Sequence, residues 1–155
     1  MSKVIDNIVL FIAQGAYSGR VPIAPGTAGT VVGVLLYILL KDLGSLWYCI
    51  AYTAVAALGS LAAGRADDLL GTKDSPSIVI DEIAGFLIAM FLIPFSWGYV
   101  VAGFILFRFF DILKPWPLKR LQDVPGGPGV MLDDLGAAVY TNVMLQIAWI
   151  FFGKG

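Results

Sequence analysis

The chain has 155 residues, of which 59% are hydrophobic and 14% are charged, with 10 basic against 11 acidic side chains. This composition is too apolar for an ordinary soluble domain and the length suits one domain, so residues 1–155 are predicted to form a single membrane domain. The absence of histidine excludes Ser-His-Asp hydrolysis and histidine-ligated zinc, and the net charge of −1 gives no bulk positive field for binding nucleic acid.

The first element is a short amphipathic helix, because apolar residues from Val4 to Ile12 recur with helical spacing. Such a helix is predicted to lie in the membrane interface. Uncharged stretches of 20, 22, 25 and 19 residues follow, at 21–40, 43–64, 83–107 and 135–153. Each is close to the roughly 20 residues that cross the hydrocarbon core.

The third stretch is interrupted by Pro94 and Gly98, so it forms either one kinked span or a hairpin of two. In a hairpin, eight of the ten basic residues share one side, as the positive-inside tendency predicts, whereas one span divides them five against five. We therefore predict an all-α, multi-pass membrane bundle of about five segments, with the N-terminus and the long loops in the cytoplasm. Since 83–93 is only roughly 16 Å of helix, the first hairpin helix should begin near Ser77 and the second should end near Leu113.

Acidic residues gather on the predicted cytoplasmic side, where ten of the eleven lie. Asp81 and Glu82 enter one helix, Asp111 leaves another, and Asp133 and Asp134 enter a third. Acidic residues at a helix N-terminus have a structural explanation in the helix dipole. Three such clusters converging without histidine or thiolate suit a hard cation such as Mg²⁺, held by carboxylates, water and substrate phosphate.

Basic and glycine-rich motifs accompany these acids. Arg108, Asp111 and Lys114 are three residues apart, so in a helix they form either an ion pair with a snorkelling lysine or a phosphate-binding edge beside a metal ligand. The segment 20–30 is rich in glycine and leads into a helix, where backbone amides and the hydroxyls of Thr27 and Thr30 can bind an anion. A Pro-Gly entry to a membrane helix is also common without any ligand.

Four segments taken together resemble the phosphatidylglycerophosphatase A family: APGTAGT at 24–30, IVIDEIAGF at 78–86, FRFFDILKPWP at 107–117 and GGPGVMLDD at 126–134. The similarity extends from about residue 15 to residue 140 in the expected order. It implies an all-helical, Mg²⁺-dependent phosphatase of the bacterial inner membrane. Its implied substrate is a phospholipid in the bilayer, phosphatidylglycerophosphate, which loses its terminal phosphate to give phosphatidylglycerol.

The resemblance also implies site residues, matched by position. The acidic motif residues fall on Asp74, Asp81, Glu82, Asp111, Asp133 and Asp134, the basic ones on Arg108 and Lys114, and the glycine-rich ones on Gly26, Thr27, Gly29 and Thr30. All of these acids except Asp133 are candidate metal ligands, and all except Asp74 are candidate catalytic residues. The basic and glycine-rich residues are candidates for binding the substrate phosphate.

Without histidine, the base must be a metal-activated water or a carboxylate whose pKa is raised by crowding near Asp133 and Asp134. The alternative function is a divalent-cation carrier or channel, since intramembrane acids often mark ion routes. It ranks second because the acids cluster at one face and the predicted spans carry no charge.

Overall fold

Helices account for the regular structure of this chain in a computed structural model that describes residues 3–72, 75–116, 118 and 127–153, the last range with side chains from 131 onward. The helices are α1 (Lys3–Ala13), α2 (Pro25–Leu40), α3 (Ser45–Leu70), α4 (Ile80–Ala89), α5 (Trp97–Leu113) and α6 (Gly127–Phe152), with a 3-10 turn at Ser18–Arg20. The described residues contain no strand, which confirms the predicted all-α fold.

Two helices are long and apolar enough to cross a membrane: α3, with 26 residues, and Met131–Phe152 of α6, with 22. In each, only 22% of the most apolar window is buried, which is typical of a helix that faces lipid rather than a protein core. The other apolar elements are shorter, because α2, α4 and α5 have 16, 10 and 17 residues, or roughly 24, 15 and 26 Å. The described residues therefore support two of the five predicted membrane segments.

The interrupted stretch forms two helices, as the hairpin interpretation predicted. Helix α4 ends at Ala89, and α5 begins at Trp97 behind an N-cap in which Ser96 accepts a hydrogen bond from the N–H of Tyr99 at 3.2 Å. Arg108 near the end of α5 lies 3.6 Å from Glu82 at the start of α4, so the two helices are antiparallel.

The hairpin differs from the prediction at its first boundary. Helix α5 ends at Leu113 as predicted, but α4 begins at Ile80 rather than near Ser77. The preceding residue, Val79, is outside the helical region with φ −135° and donates its N–H to the carbonyl of Ala13 at 2.9 Å. A contact with α1 therefore sets the start of α4.

Helix α4 is the centre of the bundle and contacts α2, α3, α5 and α6. Seven of its ten residues are buried, including Phe86 and Leu87. Glycines on α2 allow its close approach, since a Cβ at Gly29 would lie 2.5 Å from Cβ of Val79 and one at Gly33 would lie 3.1 Å from Cβ of Phe86. The glycine-rich sequence of α2 is thus its packing surface against α4.

Helix α1 is amphipathic, as predicted. Its large apolar residues Val4, Ile8 and Phe11 are about half exposed or more. The side chain of Asp6 lies 3.7 Å from the Arg65 guanidinium of α3, and the end of α1 bonds to the residue before α4. Its apolar face is therefore open while the helix is fixed to the bundle.

Candidate functional site

Three carboxylates from two helices meet at one end of the bundle. Asp81 and Glu82 lie in the first turn of α4 and Asp134 lies on α6, and one oxygen of each is within 4.8 Å of the others. Asp134 is only 3% exposed, so water screens this cluster weakly. Carboxylates this close repel one another in a region of low dielectric constant.

Two oxygens of this cluster lack a hydrogen-bond donor. Glu82 Oε2 and Asp134 Oδ2 are buried and have no partner among the described atoms. A buried charged oxygen without a donor is costly, and a coordinated cation removes that cost. Since all the ligand atoms are carboxylate oxygens, the cluster can hold a hard metal ion.

Arg108 connects this cluster to a fourth carboxylate. Its Nη1 donates a hydrogen bond to Asp111 Oδ2 and lies 3.6 Å from Glu82 Oε1. Arg108 Nε is buried and has no acceptor in the described part of the chain, so one donor of the guanidinium is left unused by the described residues.

Lys114 and Asp133 form a second ion pair beside the cluster. Lys114 is the left-handed residue that ends α5, with φ 43°, and its Nζ donates a hydrogen bond to Asp133 Oδ2 on α6. Burial alone would lower the pKa of Lys114, but the bond to Asp133 and the nearby charges of Asp134 and Asp111 raise it above its ordinary value. Lys114 therefore stays cationic and joins the end of α5 to α6.

The glycine-rich segment contributes one residue directly to this site. A Cβ at Gly26 would overlap the Glu82 carboxylate and lie 2.9 Å from Nη1 of Arg108. Gly29 and Thr30 lie elsewhere, since Gly29 packs on Val79 and the fully buried Thr30 hydroxyl donates to the carbonyl of Gly26 at 2.8 Å.

The remaining predicted residues divide as follows. Thr27 is half-buried in the first turn of α2, next to Gly26, and Asp74 lies outside the described residues. The structure thus brings Asp81, Glu82, Asp134, Arg108, Asp111 and Gly26 together, with the Lys114–Asp133 pair at their side.

The carboxyl groups in the first turn of α4 bind protons more tightly than usual. This helix is too short to be among the membrane-crossing candidates. Burial raises the pKa of Asp81, and the charges of Glu82 and Asp134 raise it further. Burial also raises the pKa of Glu82, although the bond with Asp81 and the charge of Arg108 oppose this. Without a metal, the cluster therefore favours bound protons.

The sequence motifs did not identify the polar side chains that hold α4 from outside the site. Asn142 of α6 donates to the carbonyls of Ile88 and Ala89 in α4 and of Phe91 in the turn after it. The buried Gln14 bonds to Arg20 at 2.8 Å and to Ser77, in the segment before α4, at 3.1 Å. The available signal for Asn142 was an amide within an apolar span, because such residues usually bond between helices, although Gln146 in the same span carries the same signal.

The family model for phosphatidylglycerophosphatase A matches residues 11–149. The chain belongs to the phosphatidylglycerophosphatase A family. The resemblance seen in its four motifs is thereby confirmed, and the matched range contains every site residue described above.

Curated relatives of this family cover most of the chain. A phosphatidylglycerophosphatase A of Haemophilus influenzae is 37% identical over 142 residues, covering 90% of this chain and 87% of the relative. One of Escherichia coli is 35% identical over 136 residues, covering 86% and 79%. A Bacteroides thetaiotaomicron protein provisionally named phosphatidylinositol-3-phosphatase is 34% identical over 149 residues, covering 91% and 94%. No solved structure matches the chain.

Proposed function

We propose that this protein removes the terminal phosphate of phosphatidylglycerophosphate to give phosphatidylglycerol, using Mg²⁺ held by the carboxylate cluster. Membership of the family supports the reaction. The observation that carries the metal site is the pair of buried, unpartnered oxygens on Glu82 and Asp134 among three carboxylates within 4.8 Å. An all-oxygen ligand set, with water and a substrate phosphate to complete it, suits Mg²⁺.

Asp81, Glu82 and Asp134 would hold the ion, with Asp111 and Asp74 as further ligands. When bound, Mg²⁺ supplies neutralisation of the phosphate charge and a lowered pKa for water. The chain's own residues bind and orient the substrate around it.

Arg108 would bind the phosphoryl oxygens. Its guanidinium is held by Asp111 and Glu82 and keeps one buried donor without an acceptor among the described residues. Fixed cationic donors stabilise the charge that develops on a transferring phosphoryl group. Gly26 leaves room for this arrangement, since any side chain there would displace Glu82.

Lys114 would bind the anionic headgroup at the edge of the site. Asp133 orients it through the hydrogen bond described above. With Asp133 paired in this way, the proton of the attacking water would go to a carboxylate of the Asp81, Glu82 and Asp134 cluster, through an oxygen that does not hold the ion. Thr27, in the first turn of α2 beside Gly26, would contact the phosphate, whereas Gly29 and Thr30 would support that turn through the packing on Val79 and the hydrogen bond to Gly26 O.

The location we propose is the bacterial inner membrane, with several crossing segments and the site facing the cytoplasm. The basic residues at the site end support this orientation, whereas the α2–α3 connection at the opposite end has only Lys41, which is paired with Asp42. In a Cys49→Ser background, a membrane-impermeant maleimide applied to intact spheroplasts should label Asp42→Cys but leave Trp116→Cys unlabelled. The reverse pattern would refute the orientation.

The activity test uses purified protein in detergent, with phosphate release from phosphatidylglycerophosphate measured during a Mg²⁺ titration. Asp81→Asn, Asp111→Asn and Asp134→Asn should each lose most turnover, while Asp42→Asn, an exposed acid at the far end, should keep it. Wild-type turnover in any two of the three site variants would refute the assigned site.

Substrate choice is tested with phosphatidylinositol 3-phosphate, because one relative bears that name. We expect a much lower kcat/KM for it than for phosphatidylglycerophosphate. The opposite preference would replace the proposed substrate, and no phosphate release from either lipid would refute the function.

A further inference from the structure

Helix α4 ends inside the bundle, and its last carbonyls need hydrogen-bond donors from elsewhere. The turn that follows supplies two of these donors from its own N–H groups. The other two come from the two helices that are long enough to cross a membrane. The Tyr48 hydroxyl of α3 donates to Leu87 O at 2.7 Å, and the Asn142 amide of α6 donates to Ala89 O at 3.0 Å.

The amide of Asn142 does more than satisfy one carbonyl. Its Nδ2 also lies 3.3 Å from Ile88 O and 2.8 Å from Phe91 O, so its two hydrogens are shared among three acceptors. Asn142 lies within the apolar span Met131–Phe152, where water is not at hand to replace a lost donor. These hydrogen bonds therefore fix the end of α4 against one point of α6.

Helices α4 and α6 also meet at a second point, the carboxylate cluster. Ala89 follows Asp81 by eight residues, and Asn142 follows Asp134 by eight residues. Eight residues span roughly 12 Å of helix. The distance between the two contact points is therefore the same along α4 as along α6. Sliding α4 along α6 by one residue, about 1.5 Å, would break the Asn142 contacts.

We propose that Asn142 is a positioning residue for the phosphatase reaction, one that sets the axial register of α4 so that Asp81 and Glu82 meet Asp134. This inference rests on the proposed function for its kinetic consequence. Asn142 touches neither substrate nor metal in this role. A displacement of about 1 Å at reacting groups can lower the rate by about a hundredfold, so loss of the register is expected to lower kcat.

The test compares Asn142→Leu with Thr141→Val. The control removes a buried hydroxyl from the adjacent residue, whose bond goes to Ala137 of its own helix and not to α4. In Asn142→Leu we expect kcat to fall at least about tenfold with KM for the lipid unchanged, and amide hydrogen exchange to accelerate in residues 80–84. Thr141→Val should match the wild type in both measurements.

An unchanged kcat in a folded Asn142→Leu, or faster exchange confined to residues 88–91 beside the substitution, would overturn the inference. Exchange needs no substrate, so it decides the register even if the proposed activity fails. Asn142→Gln keeps the amide and should recover part of the kcat.

If Asn142→Leu does not fold, Asn142→Ala decides, because it removes the same amide without adding bulk between α4 and α6. A lowered kcat with faster exchange at 80–84 supports the register, and wild-type values for both overturn it.

Discussion

Gly26→Ala is the substitution that most directly tests the site geometry. The new Cβ would overlap Glu82 Oε1 and lie 2.9 and 3.0 Å from the two terminal nitrogens of Arg108. These atoms are the ends of flexible side chains, so they can move aside without moving the backbone. We therefore expect the free energy of unfolding to change by less than about 1 kcal/mol, while kcat falls by about ten- to a hundredfold because Glu82 leaves the cluster.

Gly29→Ala is the matched comparison on the same helix face. Its Cβ would lie 2.5 Å from Cβ and 3.1 Å from the carbonyl oxygen of Val79, atoms that move only with the backbone. Overpacking of this kind should cost about 1–3 kcal/mol of stability. Gly98→Ala, whose new Cβ would lie 3.6 Å from the Ser96 Oγ side-chain atom in ordinary van der Waals contact, should leave both properties unchanged.

The assay combines thermal unfolding in detergent with phosphate release from phosphatidylglycerophosphate over a Mg²⁺ titration. Gly26→Ala should retain its melting temperature and require more Mg²⁺ for half-maximal activity. A Gly26→Ala protein with wild-type kcat and wild-type Mg²⁺ dependence would refute the placement of Gly26 against a catalytic Glu82.

Three further predictions address neighbouring residues. Lys114→Met removes the cation from the buried Asp133, so the free energy of unfolding should fall by about 1–3 kcal/mol. Lys114→Arg keeps the charge and should stay near the wild type, and equal melting temperatures for Lys114→Met and the wild type would contradict the pairing. The raised pKa of Asp81 means that the folded, metal-free protein binds protons that the unfolded chain has lost, so stability falls as pH rises above about 4. The melting temperature of the metal-free protein should thus be higher at pH 5 than at pH 8, and Mg²⁺ should raise it most at pH 8. Asp81→Asn should flatten this dependence of melting temperature on pH, and a flat dependence in the wild type would contradict the prediction. Thr30→Val should lower stability by about 1 kcal/mol without changing KM, whereas Thr27→Val should raise KM, and the reverse pattern would show that Thr30 is the residue that contacts the substrate.

The sequence alone predicted the all-α fold, the α4–α5 hairpin and the convergence of acids from three helices. These features follow from local signals: long uncharged stretches, Pro94 and Gly98, and paired carboxylates beside apolar runs. Asp81, Glu82 and Asp134 could be chosen for the same reason, because charged residues are rare in this chain.

Helix boundaries and side-chain partners were less predictable, because they depend on contacts between distant segments. The uncharged stretch 21–40 is longer than helix α2, since Ala24 takes a left-handed conformation with φ 52° and the helix begins at Pro25. The roles of Gly29 and Asp133 depend on Val79 and Lys114 across the bundle. No local pattern separates a glycine that packs a helix from one that faces an anion.

The contribution of α6 to both ends of α4 has a consequence for biosynthesis. The chain is made from its N-terminus, so α4 is synthesised before α6 exists. Until then it has the Tyr48 hydroxyl at its end but neither the Asn142 amide nor the Asp134 carboxylate. The carboxylate cluster is therefore completed only when the last described helix has been synthesised and docked, so we expect a nascent chain that has not reached α6 to be inactive.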